Sequence, residues 1–185
     1  LTSASPAAVH EVRTEVGAVV TRRVPWGAAT TVAASARGST ERDFLFLGAS
    51  LGAHAEFAER NTTLEVRYEL ERDTVGSSVD PSFSRRRHGH RLAATLTQLL
   101  DDHTVVDLIA DGTATSGYQA SPYRRIALER PGWPSAIYVD EVTPTARVSL
   151  AVAARLRREL RSTWFATATY RYCFDDWALV SHTAA

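Results

Sequence analysis

Along much of the chain apolar and polar residues alternate singly, the period of a β-strand, whose successive side chains leave opposite faces. The clearest run is residues 62–74. Thr62, Leu64, Val66, Tyr68 and Leu70 hold its even positions, and Glu65, Arg67, Glu69, Glu71 and Asp73 its odd ones. A helix would scatter those charges around its circumference, so the run predicts a strand with one apolar and one charged face. The same alternation predicts strands over residues 10–24, 27–37, 43–57, 90–100, 104–112, 147–156, 162–175 and from 177 to the last residue. In the strand over 104–112, Asp107 and Asp111 share a face, and in the strand over 162–175 the even face carries Trp164, Ala166, Ala168, Tyr170 and Tyr172.

The connections between these strands sort by length. Short turns follow the first, third, fifth and seventh strands, around Pro25-Trp26, Arg60-Asn61, Asp101-Asp102 and residues 159–161, while the other end carries two long loops, 75–89 and 117–145. Short turns at one end, long loops at the other and strands longer than the usual five or six residues are the marks of an up-and-down membrane barrel. The fold expected is all-β: an antiparallel up-and-down transmembrane β-barrel, incomplete, with about nine strands in one partial domain over residues 1–185. A soluble ligand-binding β-barrel of the lipocalin kind also alternates, but turns its apolar face inward. A mixed α/β domain is the remaining option, because residues 151–160 (AVAARLRREL) are rich in helix formers.

Composition narrows the partners. The 185 residues contain 21 cations, all arginine, against 21 carboxylates, for a formal charge of zero. That balance gives no electrostatic reason to expect nucleic acid. One cysteine, Cys173, makes neither an internal disulfide nor a thiolate zinc site. No apolar stretch approaches the roughly 20 residues a membrane helix needs, so any membrane contact must be made with strands. The sequence contains no methionine, from which residue 1 is expected not to be a translation start.

Read in order, several segments resemble a family of bacterial outer-membrane β-barrel proteins of uncharacterised function. They are Thr2-Ser3-Ala4-Ser5-Pro6 with Glu11-Val12-Arg13-Thr14-Glu15, then Arg60-Asn61-Thr62-Thr63-Leu64 with Asp73-Thr74-Val75-Gly76. Gly117-Tyr118 with Ser121-Pro122-Tyr123-Arg124 resembles the family's long-loop signature, and Glu141 with Pro144-Thr145-Ala146-Arg147 its return into a strand. The most specific match is Tyr170-Arg171-Tyr172, Asp175-Asp176-Trp177 and Ser181-His182-Thr183. Cys173 stands where the family is expected to carry an aromatic. The resemblance implies an outer-membrane location, lipid as a neighbour, another envelope protein as a possible partner, and a chain that is an internal section of a longer barrel. It also marks Tyr118, Pro122, Tyr123, Arg124, Asp176 and His182 as motif positions.

In such a barrel the charged face lines the lumen. The lumen-facing candidates are Glu65, Arg67, Glu69, Glu71, Asp73, Arg91, Asp107, Asp111, Arg147, Arg155 and Arg171. Trp164, Tyr170, Tyr172, Phe174 and Trp177 are candidates for an aromatic girdle at the membrane interfaces. Mixed charges in a confined lumen favour small polar solutes or form an ion-paired plug, so a porin-like path is the leading expectation. A structural barrel that anchors or encloses another envelope protein is the alternative, and a soluble ligand-binding barrel the third. His88 and His90, beside Arg85-Arg86-Arg87 and with Asp80 nearby, have a metal-like spacing, but the arginines oppose a cation and favour anionic lipid headgroups or a partner. Asp101, Asp102 and His103 read as a polar hairpin, since no nucleophile accompanies them. There is no phosphate-cradling glycine loop, nucleophile elbow or zinc-protease helix, so no enzyme activity, cofactor or metal is expected.

Overall fold

The computed structural model describes residues 12–25, 29–129 and 135–185. Nine strands form one antiparallel meander: β1 (Thr14–Val24), β2 (Thr30–Thr40), β3 (Phe44–Phe57), β4 (Thr62–Val75), β5 (Arg85–Asp101), β6 (Thr104–Gly117), β9 (Ala146–Arg161), β10 (Trp164–Asp175) and β11 (Val180–Ala184). Between β6 and β9 a separate hairpin pairs β7 (Arg125–Leu128) with β8 (Ile137–Asp140). Each strand of the large sheet pairs with its sequence neighbours, except that β6 pairs with β9 across the hairpin. β1 and β11 are its two edges and do not pair with each other, so the sheet is open among the described residues.

All nine expected strands are present, and the structure corrects their limits. The expected loop over 75–89 ends early because β5, expected from His90, begins at Arg85, which brings His88 into the strand and leaves Asp80 in the loop. The loop over 117–145 holds the β7–β8 hairpin, whose four-residue strands are too short to alternate visibly. Residues 151–160 lie inside β9, paired on one side to β6 and on the other to β10, so their helix propensity is overridden by the two ladders. Trp177 belongs to the turn before β11. The motif stretch at Thr2–Pro6, the start of the first expected strand through Glu11, and Trp26 and Gly27 of the first turn lie outside the described residues.

The register explains the two faces. In β3, Leu45, Leu47, Ala49, Leu51 and Ala53 sit opposite Thr74, Arg72, Leu70, Tyr68 and Val66 of β4, while Phe46, Gly48, Ser50, Gly52 and His54 sit opposite Asp73, Glu71, Glu69, Arg67 and Glu65. Exposure follows the same alternation but inverts the usual order of a water-soluble domain. Leu51 is 66% exposed and Leu92 54%, whereas Asp73 and Asp107 on the other face are 1% and 2% exposed. Phe46 and Ala151, the buried apolar side chains among the described residues, both lie on the charged face. Side chains of β1, β2, β4 and β5, among them Val19, Arg37, Glu69 and Arg91, line a common cavity of about 470 Å³ above β3. A single sheet shelters one face in this way by curling toward it.

The long-loop end is fixed by backbone geometry at Gly117. Its φ is +100°, and a Cβ placed there would lie 2.3 Å from the Arg86 carbonyl oxygen. Gly117→Ala should therefore lower stability by about 2 kcal/mol, read as a reduced urea midpoint. An unchanged midpoint would show that the loop is not held by this turn.

Candidate functional site

Every lumen candidate lies on the sheltered face. Glu65, Arg67, Glu69, Glu71 and Asp73 come from β4, Arg91 from β5, Asp107 and Asp111 from β6, Arg147 and Arg155 from β9, and Arg171 from β10. Because the register is in step across the sheet, oppositely charged groups meet between neighbouring strands. Arg87 of β5 faces Asp73 of β4 and donates to its Oδ2 from Nε at 2.7 Å and Nη2 at 2.6 Å. Arg91 donates to Asp111 Oδ2 at 2.8 and 2.6 Å, and lies 3.8 Å from Glu69, which also holds Arg67 at 2.9 Å.

The contact with the most partners is a fork around the buried Asp107. Its Oδ2 accepts from Arg155 Nε at 2.8 Å and lies 3.2 Å from Arg157 Nη2, while Oδ1 accepts from Thr97 Oγ1 at 2.8 Å. Arg147 donates from Nε to Asp175 at 2.8 Å, and its guanidinium also lies 5.0 Å from the Trp177 ring. Arg87, Arg157 and Asp175 complete these pairs and were not among the expected lining residues. Arg157 shares the parity of Arg155, but the strand expected over 147–156 stops one residue short of it. Arg87 was concealed because β5 starts earlier than its apolar pattern.

The unpaired charges are distributed unequally. Glu65 on β4 has no salt-bridge partner among the described residues, and neither does Arg171 on β10. On β4 this face carries four carboxylates and one guanidinium; on β9 it carries Arg147, Arg155 and Arg157 with only Glu159. Between them β5 adds Arg85, Arg87 and Arg91 to this face and β6 adds Asp107 and Asp111, so its charge alternates in sign from strand to strand.

The motif positions mainly secure the long-loop end. Tyr123 donates its hydroxyl to Asp43 of the β2–β3 turn and accepts from the Ser78 backbone at 2.7 Å, joining three loops at one phenol. Pro122 lies in the turn just before it. Tyr118 packs edge-on against Phe83 at 5.4 Å, and burial followed by the nearby Asp140 charge raises its hydroxyl's pKa. Arg124 contacts Glu141 at 3.3 Å, and Asp176 accepts from the Val148 backbone at 2.9 Å. In the same loop region, hydrogen bonds from the Ser82 hydroxyl and backbone hold Asp80 below the usual carboxylate range.

His182 is on the apolar face, where its Nδ1 is 2.7 Å from the Tyr170 hydroxyl. His90 repeats the arrangement with Tyr68 at 2.8 Å. Of the girdle candidates, Trp164, Tyr170, Tyr172 and Phe174 share this exposed face and span β10 from end to end. Trp177 instead donates from its indole to the Ala146 carbonyl at 2.8 Å. Among the described residues no group of three His, Cys, Asp or Glu side chains could hold a metal.

A family described as a protein of unknown function, DUF3570, matches residues 77–185. Neither a curated protein nor a solved structure matches the chain.

The Asp107 fork carries a direct test. Asp107→Asn should cost about 2 kcal/mol, since it leaves two guanidiniums without their shared charge. In a double-mutant cycle with Arg155→Gln, a coupling of about 1 kcal/mol is expected. Additive effects would mean that the two residues do not stabilise the β6–β9 register together.

Proposed function

The chain belongs to the DUF3570 family of proteins of unknown function, and from that footing we propose that it forms part of the wall of a bacterial outer-membrane β-barrel, with a lumen that passes small polar solutes. The observation that carries this reading is the inverted distribution of side chains. Aliphatic and aromatic residues cover the exposed face, while the carboxylates and guanidiniums are gathered on the sheltered one. Water does not stabilise a continuous exposed apolar sheet face, but lipid does. A soluble ligand-binding barrel would place Leu51, Leu92 and Leu108 on the sheltered side. They are 66%, 54% and 50% exposed.

The strands fit a bilayer. β4 and β6 each have 14 residues, which at about 3.4 Å per residue cross a hydrocarbon core of about 30 Å even when strongly tilted. In that setting the outer rows of β1 and β11 need partners, because unpaired backbone groups cost several kcal/mol each in hydrocarbon. Closure therefore calls for strands that pair with both edges. Closely spaced charges of both signs favour small solutes with a dipole or paired charges over apolar ones.

Full-length protein inserted in a planar bilayer should show discrete conductance steps, and Arg67→Ala or Glu69→Ala should move the reversal potential in opposite directions. Stable insertion without conductance would overturn the solute path and favour a barrel that anchors or encloses an envelope partner. The lipid contact has its own test. Leu51→Arg near the middle of the apolar band should destabilise by about 2–4 kcal/mol if that face meets hydrocarbon. A change within about 0.5 kcal/mol is what a solvated surface would give.

A further inference from the structure

The apolar face is not uniformly uncharged, and the sign of its charges is one-sided. Between the turns of the nine-stranded sheet this face carries no aspartate or glutamate, yet Arg72 of β4 and Arg86 of β5 both project from it. Arg72 lies directly opposite His88, and His88 is opposite Ser116 of β6. Arg86 is two residues before His88 on the same strand and face. Groups in such positions have their Cβ atoms about 5 Å apart when opposite and about 7–8 Å when diagonal, which brings both guanidiniums, an imidazole and a hydroxyl within reach of one anion. All four side chains are exposed, and no ion pair engages either arginine.

What lies beside the cluster is apolar. A groove of about 700 Å³ runs across the strands over Ala18, Ala36, Gly38 and Ala49, flanked by Leu47 and Leu70, and its lining includes Arg72 and His88. Small residues make the groove by leaving space between the leucines. Its shape and lining fit a hydrocarbon chain, while the cations at its end fit a phosphate that accepts from several donors at once.

We propose that Arg72, Arg86, His88 and Ser116 bind the phosphate headgroup of an anionic lipid whose acyl chain lies in this groove. The proposal deepens the membrane-wall reading and rests on it. Two exposed cations without a carboxylate partner at the edge of an apolar band leave their donors free for an anion, and a lipid phosphate is the anion such a surface meets in a membrane. The other end of the band differs. There Arg158 lies close enough to Asp101 for the two charges to interact, and Arg22 of β1 has no second cation on the neighbouring strand, so the clustered headgroup site is assigned to the long-loop end.

Native mass spectrometry of the full-length protein in neutral detergent, titrated separately with phosphatidylglycerol, phosphatidylcholine and inorganic phosphate, tests this. Phosphatidylglycerol should be retained about tenfold more tightly than phosphatidylcholine, and R72Q/R86Q should lose about that factor while R158Q keeps it. Both arginines are exposed, and unchanged circular dichroism verifies the variant's fold. Equal retention of the two lipids, or full retention by R72Q/R86Q, would overturn the site. Displacement of the lipid by inorganic phosphate at equal concentration would also overturn it, since the apolar groove would then contribute nothing. Protein that fails to insert into phosphatidylcholine vesicles refutes the membrane wall itself, whereas protein that inserts without headgroup preference refutes only this site.

Discussion

Cross-strand charge pairing on the sheltered face is the interaction on which the sheet's alignment most depends. A β-ladder can slip by one residue with little change in its backbone hydrogen bonds, but every side chain then changes face. Here a slip between β6 and β9 would separate Asp107 from Arg155, leaving a carboxylate that is 2% exposed without its counter-ions. Asp73 with Arg87 imposes the same condition between β4 and β5, and Asp175 with Arg147 between β9 and β10. The net stability from each pair is modest, because desolvation offsets most of the attraction. The penalty for the wrong register is large, so their effect is on alignment.

The first three strands are aligned by different means. β1 and β2 carry few charges, and the sheltered face there is built from Gly17, Ser35, Ser39, Gly48 and Ser50, with Ser35 and Ser50 hydrogen-bonded at 2.7 Å. Small side chains let Arg37 lie over the Phe46 ring at 4.6 Å, and they leave the space that becomes the cavity. The curl and its contents are therefore linked: crowded charged pairs on β4 to β10 set the wall, and small residues on β1 to β3 open room beside it.

The strands and their two faces were legible in the sequence because period-two alternation reports a face directly. All the expected lining residues fell on one side for that reason. Partner identity was not legible, since Arg91 meets Asp111 only through a hairpin and Arg155 meets Asp107 only across a 28-residue connection. The start of β5 was hidden by its own chemistry. Residues 85–89, RRRHG, lack apolar positions and read as a loop, yet Arg87 turns inward to Asp73 while Arg86 and His88 turn outward. Tyr123 was marked as a motif position, but its role needs three loops to meet, which no local pattern encodes.

The same alternation explains why an arginine on either side of this sheet has a different meaning. On the sheltered face, Arg87 is neutralised by a carboxylate of its own chain, so it ties β4 to β5 and presents no free charge. Outside, Arg72 and Arg86 have no carboxylate on their face and would be poorly placed in the middle of a hydrocarbon layer. They stand instead where the apolar rows of β4 and β5 end, beyond Leu70 and Leu92, with the loops next. Charge of one sign at the boundary of an apolar band locates that boundary as well as decorating it. In the proposed membrane setting, arginines at this level would resist displacement of the sheet in either direction, because moving inward would strip their hydration and moving outward would expose the leucines.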